Sequence, residues 1–267
     1  MSDLARALDF ALEAADAAGK IALHHYRSEL ESQRKADGTW VTNADWAVEA
    51  QLRIRIARAF PDHNILGEEE GLTAAGGGAA RDGAPTWIID PIDGTHNYIA
   101  GIPVWATLIA LRSDGRSLVG VCHAPMLEET YEGAIELGAR MNGSPISVDP
   151  IARLGDATFC CSGASSFKNS ATLPLYEALV AKSWRDRGFG DFWGHMLVAR
   201  GAAHIMLEPL LNLWDVAALE PIIQEAGGKL TDLKGAPWTE GEPALTTNGS
   251  LHAEVVRLAR ETHGPGG

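Results

Sequence analysis

The sequence predicts an α/β (α+β) fold in which sheets and helices are layered. Strand-like segments follow one another in the first half, as in an antiparallel sheet, and helical and strand-like patterns alternate in the second half. With 267 residues, 46% of them hydrophobic, the chain can bury a sizeable core. We therefore expect one unit over residues 1–267, with possible subdomains at 1–150 (α+β) and 151–267 (α/β).

The first half opens with helical periodicity. Leu4, Leu8 and Leu12 recur every four residues, which predicts an amphipathic helix that runs toward His24. The polar residues 28–41 predict a loop. The other predicted elements of this half are a helix from about residue 43 to the residue before Pro61, an exposed loop over 71–84, and strands at 65–66, 87–90, 103–112, 117–123 and 129–134.

In the second half the order of the sequence patterns changes, and helical patterns are separated by short apolar segments. No internal repeat or low-complexity linker interrupts it. The predicted strands are 157–161, 204–207 and 229–233, and the predicted helices are 172–183, 191–202, 215–226 and 251–260.

The chain has 22 lysine and arginine residues and 35 aspartate and glutamate residues, so its formal net charge is −13, and this charge limits its partners. An acidic protein repels nucleic-acid backbones and anionic membranes, so neither is expected to bind. The longest apolar run, residues 102–111, is too short to span a bilayer, and Met1–Asp3 shows no secretory signal, so we expect a soluble cytoplasmic protein. A site for a phosphorylated molecule would need local positive charge, for which metal ions are the expected source.

The three cysteines do not form a metal-binding pattern. Cys160 and Cys161 are adjacent in an apolar run, which fits neither CxxC zinc spacing nor an ordinary disulfide framework. We expect the cysteines to pack as small hydrophobic residues, and their number fits a reducing compartment.

The strongest chemical signal lies in the segment Trp87–Asn97, with the sequence WIIDPIDGTHN. An apolar strand leads to Asp90 and Asp93 at a turn shaped by Pro91 and Gly94, and strand ends are where α/β folds place functional groups. Two carboxylates this close repel each other unless a cation lies between them, and hard oxygen ligands favour Mg²⁺ or Mn²⁺. On this motif alone, an Asp-Pro turn followed by an aspartate helix cap remains an open alternative.

Backbone groups of the same segment add to this pattern. The carbonyl of Ile92 lies between the two aspartates in the chain and could offer a neutral oxygen ligand. The N–H groups of Gly94 and Thr95 follow, and a helix start at this point would favour a phosphate group. The segment therefore combines groups suited to a cation with groups suited to a phosphate.

Other carboxylates are weak signals when each is taken alone. Glu68 and Glu69 could form an acidic surface turn, and Asp45 and Asp215 could merely favour the dipoles of the helices that they begin. Their occurrence together in one chain favours a functional interpretation over these structural ones.

The motifs resemble those of the inositol monophosphatase family, in the same order and over nearly the whole chain. The segments that carry the resemblance are Val41–Asp45, Gly67–Glu69, Trp87–Asn97, Trp214–Ala218 and Glu225–Gly228. The resemblance implies a layered αβαβα sandwich, a homodimer, and lithium-sensitive hydrolysis of phosphate monoesters that depends on Mg²⁺. Mn²⁺ could replace Mg²⁺, and more than one ion is expected per site.

The resemblance also implies a role for individual residues. The metal ligands would be Glu68, Asp90, the Ile92 carbonyl, Asp93 and Asp215. The phosphate-binding residues would be Ile92, Asp93, Gly94 and Thr95. The residues that orient the attacking water would be Asp45, Glu68 and Thr95. Lys35 would lie near the site when the loop at 28–41 closes. Subdomain 1–150 would then carry the metal site and subdomain 151–267 the substrate side, and no covalent phosphoenzyme would be needed.

Three segments resemble the histidinol-phosphate phosphatase branch of that family, namely Gly101–Leu111, Arg187–Phe192 and Glu208–Ala218. Inositol phosphatases usually have a small hydroxylated or apolar residue where this chain has Asp191. Asp191 and Glu208 would attract the cationic groups of L-histidinol phosphate, an intermediate of histidine biosynthesis, and would gain little from a neutral polyol. Alternatively, Asp191 caps the following helix. The expected substrate contacts are Ser162, Arg187, Asp191, Glu208 and Asp215.

Several alternatives stay open. The substrate could be inositol 1-monophosphate, a sugar bisphosphate or a phosphorylated nucleotide, although no basic patch for a base is evident. A non-catalytic phosphate-binding regulator would be expected to lack some of the acidic ligands, which are all present. A zinc phosphatase is discarded because the nine histidines form no HxH or HExxH cluster. His96, at a position where the family often has lysine, leaves the substrate class open.

Overall fold

The computed structural model describes residues 3–27, 30–36 and 38–263. These residues divide into two compact units. The first unit contains the chain up to Gly143 together with the later segment Trp214–Ile222, and the second contains Ser144–Leu213 and the chain from Ile223 onward. The chain therefore leaves the first unit and returns to it for one short segment.

The first unit consists of a mixed sheet with helices packed on it. Its elements are α1 (Asp3–His25), β1 (Ser32–Arg34), β2 (Trp40–Thr42), α2 (Asn43–Ala59), β3 (Asn64–Gly67), β4 (Gly71–Ala74), β5 (Thr86–Asp93), α3 (Thr95–Ala100), β6 (Ala106–Ser113), β7 (Arg116–Ala124), β8 (Glu129–Ala134) and β9 (Gly138–Met141). In the sheet the strands lie in the order β9-β8-β7-β6-β5-β3-β4. Neighbours are antiparallel except for the parallel pair β3–β5.

Small residues allow α1 to lie close to its neighbours in this unit. Its buried face includes Ala7, Ala11, Ala15 and Ala18, each at most 1% exposed, and these residues join Trp87 of β5 in one hydrophobic core. The predicted helix toward His24 is confirmed, and so is the predicted helix from residue 43, which is α2.

The two predicted loops of this half are wrong in part. Residues 32–34 and 40–42 pair as the antiparallel strands β1 and β2, and residues 71–74 form β4 at the edge of the sheet. Backbone hydrogen bonds to a neighbouring strand stabilise these segments, and such bonds leave no hydrophobic pattern in the sequence. Residues 28, 29 and 37 of the predicted loop lie outside the described residues.

The second unit contains a smaller sheet. The remaining elements of the chain are β10 (Ser144–Pro145), β11 (Thr158–Cys161), α4 (Leu173–Lys182), β12 (Arg185–Arg187), α5 (Asp191–Ala199), β13 (Ile205–Glu208), α6 (Leu213–Val216), α7 (Leu219–Glu225), β14 (Lys229–Thr231), β15 (Ala244–Thr247) and α8 (His252–His263). The strand order is β12-β11-β13-β15-β14. β11 is parallel to β12 and β13, and β15 is antiparallel to β13 and β14.

One predicted helix, 215–226, is wrong as a continuous element. The structure has α6 and α7 instead, separated at residues 217–218. Pro221 explains the break, because its ring would clash with the carbonyl of residue 217 and it has no N–H to donate. Within the described ranges, none of the helices combines the length and apolar character that a bilayer crossing requires.

Candidate functional site

The end of β5 brings two carboxylates to one side of the sheet. In a regular strand, side chains three residues apart point to opposite faces. Here Asp90 lies opposite Leu108 and Asp93 opposite Ala106, so three residues of β5 span two of β6. This β-bulge puts both aspartates on the same side, and it contains Pro91, which cannot donate to the sheet ladder.

Asp215, in the first turn of α6, joins these two aspartates. One carboxylate oxygen from each of Asp90, Asp93 and Asp215 lies within 4.8 Å of the other two. Asp90 and Asp93 are buried and Asp215 is half-buried. The predicted ligands Asp90, Asp93 and Asp215 are thus brought together by the fold.

The electrostatics of this cluster favour a bound cation. Burial, together with the charges of Glu68, Asp93, Asp215 and Asp45, holds the pKa of Asp90 well above its ordinary value. Carboxylates that are hard to ionise in isolation ionise readily beside a divalent cation, which relieves both repulsion and desolvation. An all-oxygen donor set suits a hard cation, so these residues fit a metal site.

Two glycines, which sequence reasoning missed, allow Asp215 to reach the cluster. A methyl group at Gly120 of β7 would lie 1.9 Å from the Ala218 carbonyl oxygen, and one at Gly133 of β8 would lie 2.7 Å from the Ile222 Cα. The segment 214–222 therefore packs directly on the backbone of the sheet. Glycines inside otherwise regular strand patterns are the sequence signal for such close backbone approach.

One carboxylate oxygen of Asp45 has a structural role, and the other makes no hydrogen bond to the described residues. Its Oδ2 accepts from the Thr42 N–H (2.8 Å) and from the Thr42 hydroxyl, which completes a capping box at the start of α2. Its Oδ1 is buried and, among the described residues, has no hydrogen-bond partner. Burial raises the pKa of Asp45 to about 6, against the opposing effect of the Thr42 hydrogen bonds.

The predicted phosphate-binding residues lie where β5 leads into α3, with Ile92 and Asp93 at the end of the strand and Gly94 and Thr95 at the start of the helix. Gly94 is the N-cap and adopts φ = 82°, a left-handed conformation that favours glycine, and it offers no side chain to cap the first N–H groups. The hydroxyl of Thr95 donates to the Ile92 carbonyl (2.9 Å). The Thr95 oxygen is thereby oriented with its lone pairs free to accept a further hydrogen bond.

Glu68 lies on the turn between β3 and β4, and its carboxylate is paired with a lysine. The Lys35 Nζ is 2.8 Å from Glu68 Oε1 and 2.7 Å from Glu69 Oε1. Burial alone lowers the pKa of Lys35, but the two carboxylates raise it overall. Burial raises the pKa of Glu69 to about 7 in spite of Lys35. The lysine predicted near the site therefore contacts the proposed ligand Glu68.

In the second unit, the predicted substrate residues gather at one edge of the sheet. Ser162 follows β11, Arg187 ends β12 and Glu208 ends β13; because these strands are parallel neighbours, their carboxyl ends share an edge. Asp191 begins α5 with φ = 54°, an uncommon conformation for a residue other than glycine. A methyl group at Gly190 would lie 2.8 Å from the Ser162 Cα, so this glycine brings Asp191 close to Ser162.

His195 and the cysteines are buried and supply no charge to this chemistry. His96 is exposed to solvent. His195 is 1% exposed, its Nδ1 is 2.8 Å from the Thr246 hydroxyl, and burial lowers its pKa to about 3, so it is neutral. The prediction that the cysteines pack in the core is confirmed, because Cys122, Cys160 and Cys161 are all buried free thiols.

Comparison with known proteins agrees with this picture. A profile of the inositol monophosphatase family matches residues 3–263. A histidinol-phosphatase from Mycobacterium tuberculosis is 39% identical over 255 residues, covering 93% of this chain and 96% of the relative. A histidinol-phosphatase from Streptomyces coelicolor is 39% identical over 252 residues, covering 91% of this chain and 92% of the relative. An inositol monophosphatase structure from Anabaena (Nostoc) sp. PCC 7120 has a TM-score of 0.85 and 29% identity, covers 98% of both chains, and confirms the predicted fold class.

Proposed function

The chain belongs to the inositol monophosphatase family and is a phosphoric monoester hydrolase, and we propose that it uses Mg²⁺ to hydrolyse L-histidinol phosphate to L-histidinol and phosphate. Asp191 and Glu208, at the carboxyl edge of the parallel strands, carry the substrate proposal. Two carboxylates outside the metal cluster suit the ammonium group of an amino alcohol better than an uncharged polyol. The relatives named histidinol-phosphatase support the same substrate.

The proposed ligands of Mg²⁺ are Glu68, Asp90, the Ile92 carbonyl, Asp93 and Asp215. When bound, the ion supplies positive charge against the phosphate and makes a coordinated water more acidic. Mn²⁺, which also suits carboxylate, carbonyl and water ligands, is the expected substitute, and more than one ion per site is proposed.

The chain's own residues would then act on the attacking water and the phosphate. The Asp45 Oδ1, which has no hydrogen-bond partner among the described residues, and the lone pairs of the Thr95 hydroxyl can accept hydrogen bonds from the water, and Glu68 would help to orient it. Backbone N–H groups of Gly94 and Thr95 would hold phosphate oxygens. Attack of water on phosphorus breaks the ester P–O bond, and the alcohol leaves with a proton, so no covalent phosphoenzyme forms.

The substrate residues have separate roles in the proposal. Asp191 and Glu208 would bind the ammonium and imidazole groups, while Ser162 and Arg187 would make further polar contacts and Asp215 would contact both metal and substrate. Histidine biosynthesis, a homodimer and a cytoplasmic location stay predictions.

A phosphate-release screen tests the proposal. The intact protein is given Mg²⁺ and, in turn, histidinol phosphate, inositol 1-phosphate, fructose bisphosphate and adenosine bisphosphate. We expect the highest kcat/KM with histidinol phosphate and no turnover of any ester in EDTA. A higher kcat/KM for inositol phosphate would refute the substrate but keep the phosphatase, and full turnover in metal-free buffer would refute the metal requirement.

A further inference from the structure

A buried ion pair on α2 lies behind the turn that carries Glu68. Glu49 and Arg53 are one helical turn apart, with the Arg53 Nη2 2.8 Å from the Glu49 Oε1. The side chain of Glu49 is 0% exposed and that of Arg53 is 11% exposed. An i, i+4 pair is usually a solvated surface feature, so its burial here needs a physical reason.

Glu49 binds the backbone of the turn formed by residues 67–71. Its Oε2 accepts from the Glu69 N–H (2.9 Å) and its Oε1 accepts from the Glu70 N–H (3.0 Å). One carboxylate thus fixes the two peptide groups that directly follow Glu68. Because the backbone on that side cannot rotate without losing these bonds, the direction in which the Glu68 side chain leaves the turn is set by Glu49.

Arg53 and Gly67 complete the same arrangement. The Arg53 Nη2 donates to the Gly71 carbonyl (2.6 Å), and its Nη1 donates to the Thr73 hydroxyl (3.0 Å), so the arginine holds the far end of the turn. A methyl group at Gly67 would lie 2.1 Å from the Glu49 Oε1. The absence of a side chain at Gly67 is therefore what lets the carboxylate approach the turn.

We propose that Glu49 and Arg53 are positioning residues that orient Glu68 for metal binding, an inference that rests on the proposed function, in which Glu68 is a ligand. A buried ion pair adds little net stability compared with apolar packing, and Glu49 lies beside a turn that already carries three glutamates. The two N–H groups that Glu49 binds directly follow Glu68, so this placement of the pair fixes the backbone that presents the proposed ligand. Groups that hold metal ligands in place change metal affinity or activity by about 10–100-fold when they are replaced.

The variant Glu49→Gln keeps the size of the side chain but leaves one acceptor oxygen for two N–H groups. In the metal-free protein we expect the amide of Glu69 or Glu70 to exchange with solvent at least about tenfold faster. We also expect the Kd for Mn²⁺, measured from the free-ion electron paramagnetic resonance signal, to rise roughly 10–100-fold. The matched control is Glu132→Gln, which removes another buried glutamate, on β8, and should change neither quantity.

Arg53→Lys provides a second test if Glu49→Gln does not fold. Lysine keeps the charge but cannot donate simultaneously to Glu49, Gly71 and Thr73 in the planar geometry of a guanidinium, so Mn²⁺ affinity should again fall. A folded Glu49→Gln protein with wild-type Mn²⁺ affinity and unchanged amide exchange overturns the proposal. If the wild-type protein binds no Mn²⁺, the proposed function fails instead, and amide exchange alone then decides whether Glu49 anchors the turn.

Discussion

At the scale of single residues, the metal cluster depends on charge that the protein alone stabilises poorly. The bulge at Pro91 aligns Asp90 and Asp93, and Asp215 adds a third carboxylate within 4.8 Å. Burial and these like charges raise the pKa of Asp90. The cluster is therefore arranged for ion binding at the expense of stability in the metal-free state.

Asp93→Asn tests this arrangement. The amide keeps the shape but removes one negative charge from the ligand set, so kcat should fall by at least about a hundredfold. The variant should melt at the same temperature as wild type or higher in EDTA, because one repulsive charge is gone. Asp114→Asn, at an exposed turn, is the control and should keep wild-type kcat. A near wild-type kcat for Asp93→Asn would exclude Asp93 from the proposed role.

Asp191→Asn tests substrate recognition. Asparagine also tolerates a positive φ, so the backbone at the start of α5 should be preserved. A hydrogen bond between a carboxylate and an ammonium contributes about 1.5–3 kcal/mol, which corresponds to roughly tenfold or more in kcat/KM for histidinol phosphate. Turnover of a neutral polyol phosphate should be spared. Equal loss of both activities would mean that Asp191 supports the start of α5, where Gly190 is the N-cap, and does not recognise the substrate.

At the scale of elements, glycines in the sheet determine whether Asp215 reaches its partners. Gly120→Ala would push a methyl group into the Ala218 carbonyl and displace the segment 214–222. We expect a destabilisation of about 1–3 kcal/mol and a weaker affinity for Mn²⁺, measured by thermal melting and by ion binding. Gly76→Ala is the control, because nothing lies within 4 Å of the added methyl group there. Unchanged Mn²⁺ affinity in Gly120→Ala would show that the segment tolerates displacement.

The sequence predicts most of these elements, because long periodic patterns reflect burial. The buried positions Val48, Leu52 and Ile56 identify α2 at once. Glu49 and Arg53 lie on the same helix and were missed, since an i, i+4 pair looks like a solvated surface pair in a sequence. Their burial depends on a turn that is distant in the chain, and that information is not local.

In the candidate site too, residues of one short motif can be predicted from the sequence, whereas the approach of a segment distant in the chain cannot. Asp90 and Asp93 are found from one short motif, and their proximity follows from a bulge that Pro91 makes plausible. Asp215 is 122 residues beyond Asp93 (215 − 93 = 122). Gly120 and Gly133 indicate a close backbone approach to the sheet, but nothing local to them indicates that the approaching segment is 214–222.

At the scale of the whole molecule, the net charge of −13 and the raised pKa values of Asp90 and Asp45 both affect how cation binding and stability depend on pH. The surplus of carboxylates attracts divalent cations at long range. Burial raises the pKa of Asp90 and raises that of Asp45 to about 6, so the folded metal-free protein binds protons that the unfolded chain releases above a pH of about 4. The part of this contribution that comes from Asp45 is complete below that pH and is lost as the pH rises through about 6, and the part that comes from Asp90 is lost as the pH rises through the raised pKa of that group.

Stabilisation by Mg²⁺ should therefore grow with pH, because the ion binds the charged carboxylates that destabilise the metal-free fold. The measurement is the difference in melting temperature between Mg²⁺ and EDTA at about pH 5 and about pH 8. With Mg²⁺ at about 100 times its Kd, the gain at the higher pH should be about 2.7 kcal/mol, or roughly 5–10 °C for a chain of this size. Asp93→Asn, which lacks one ligand charge, should show a smaller difference. A difference that is equal at both pH values, or larger at the lower one, would contradict the linkage between these carboxylates and the metal.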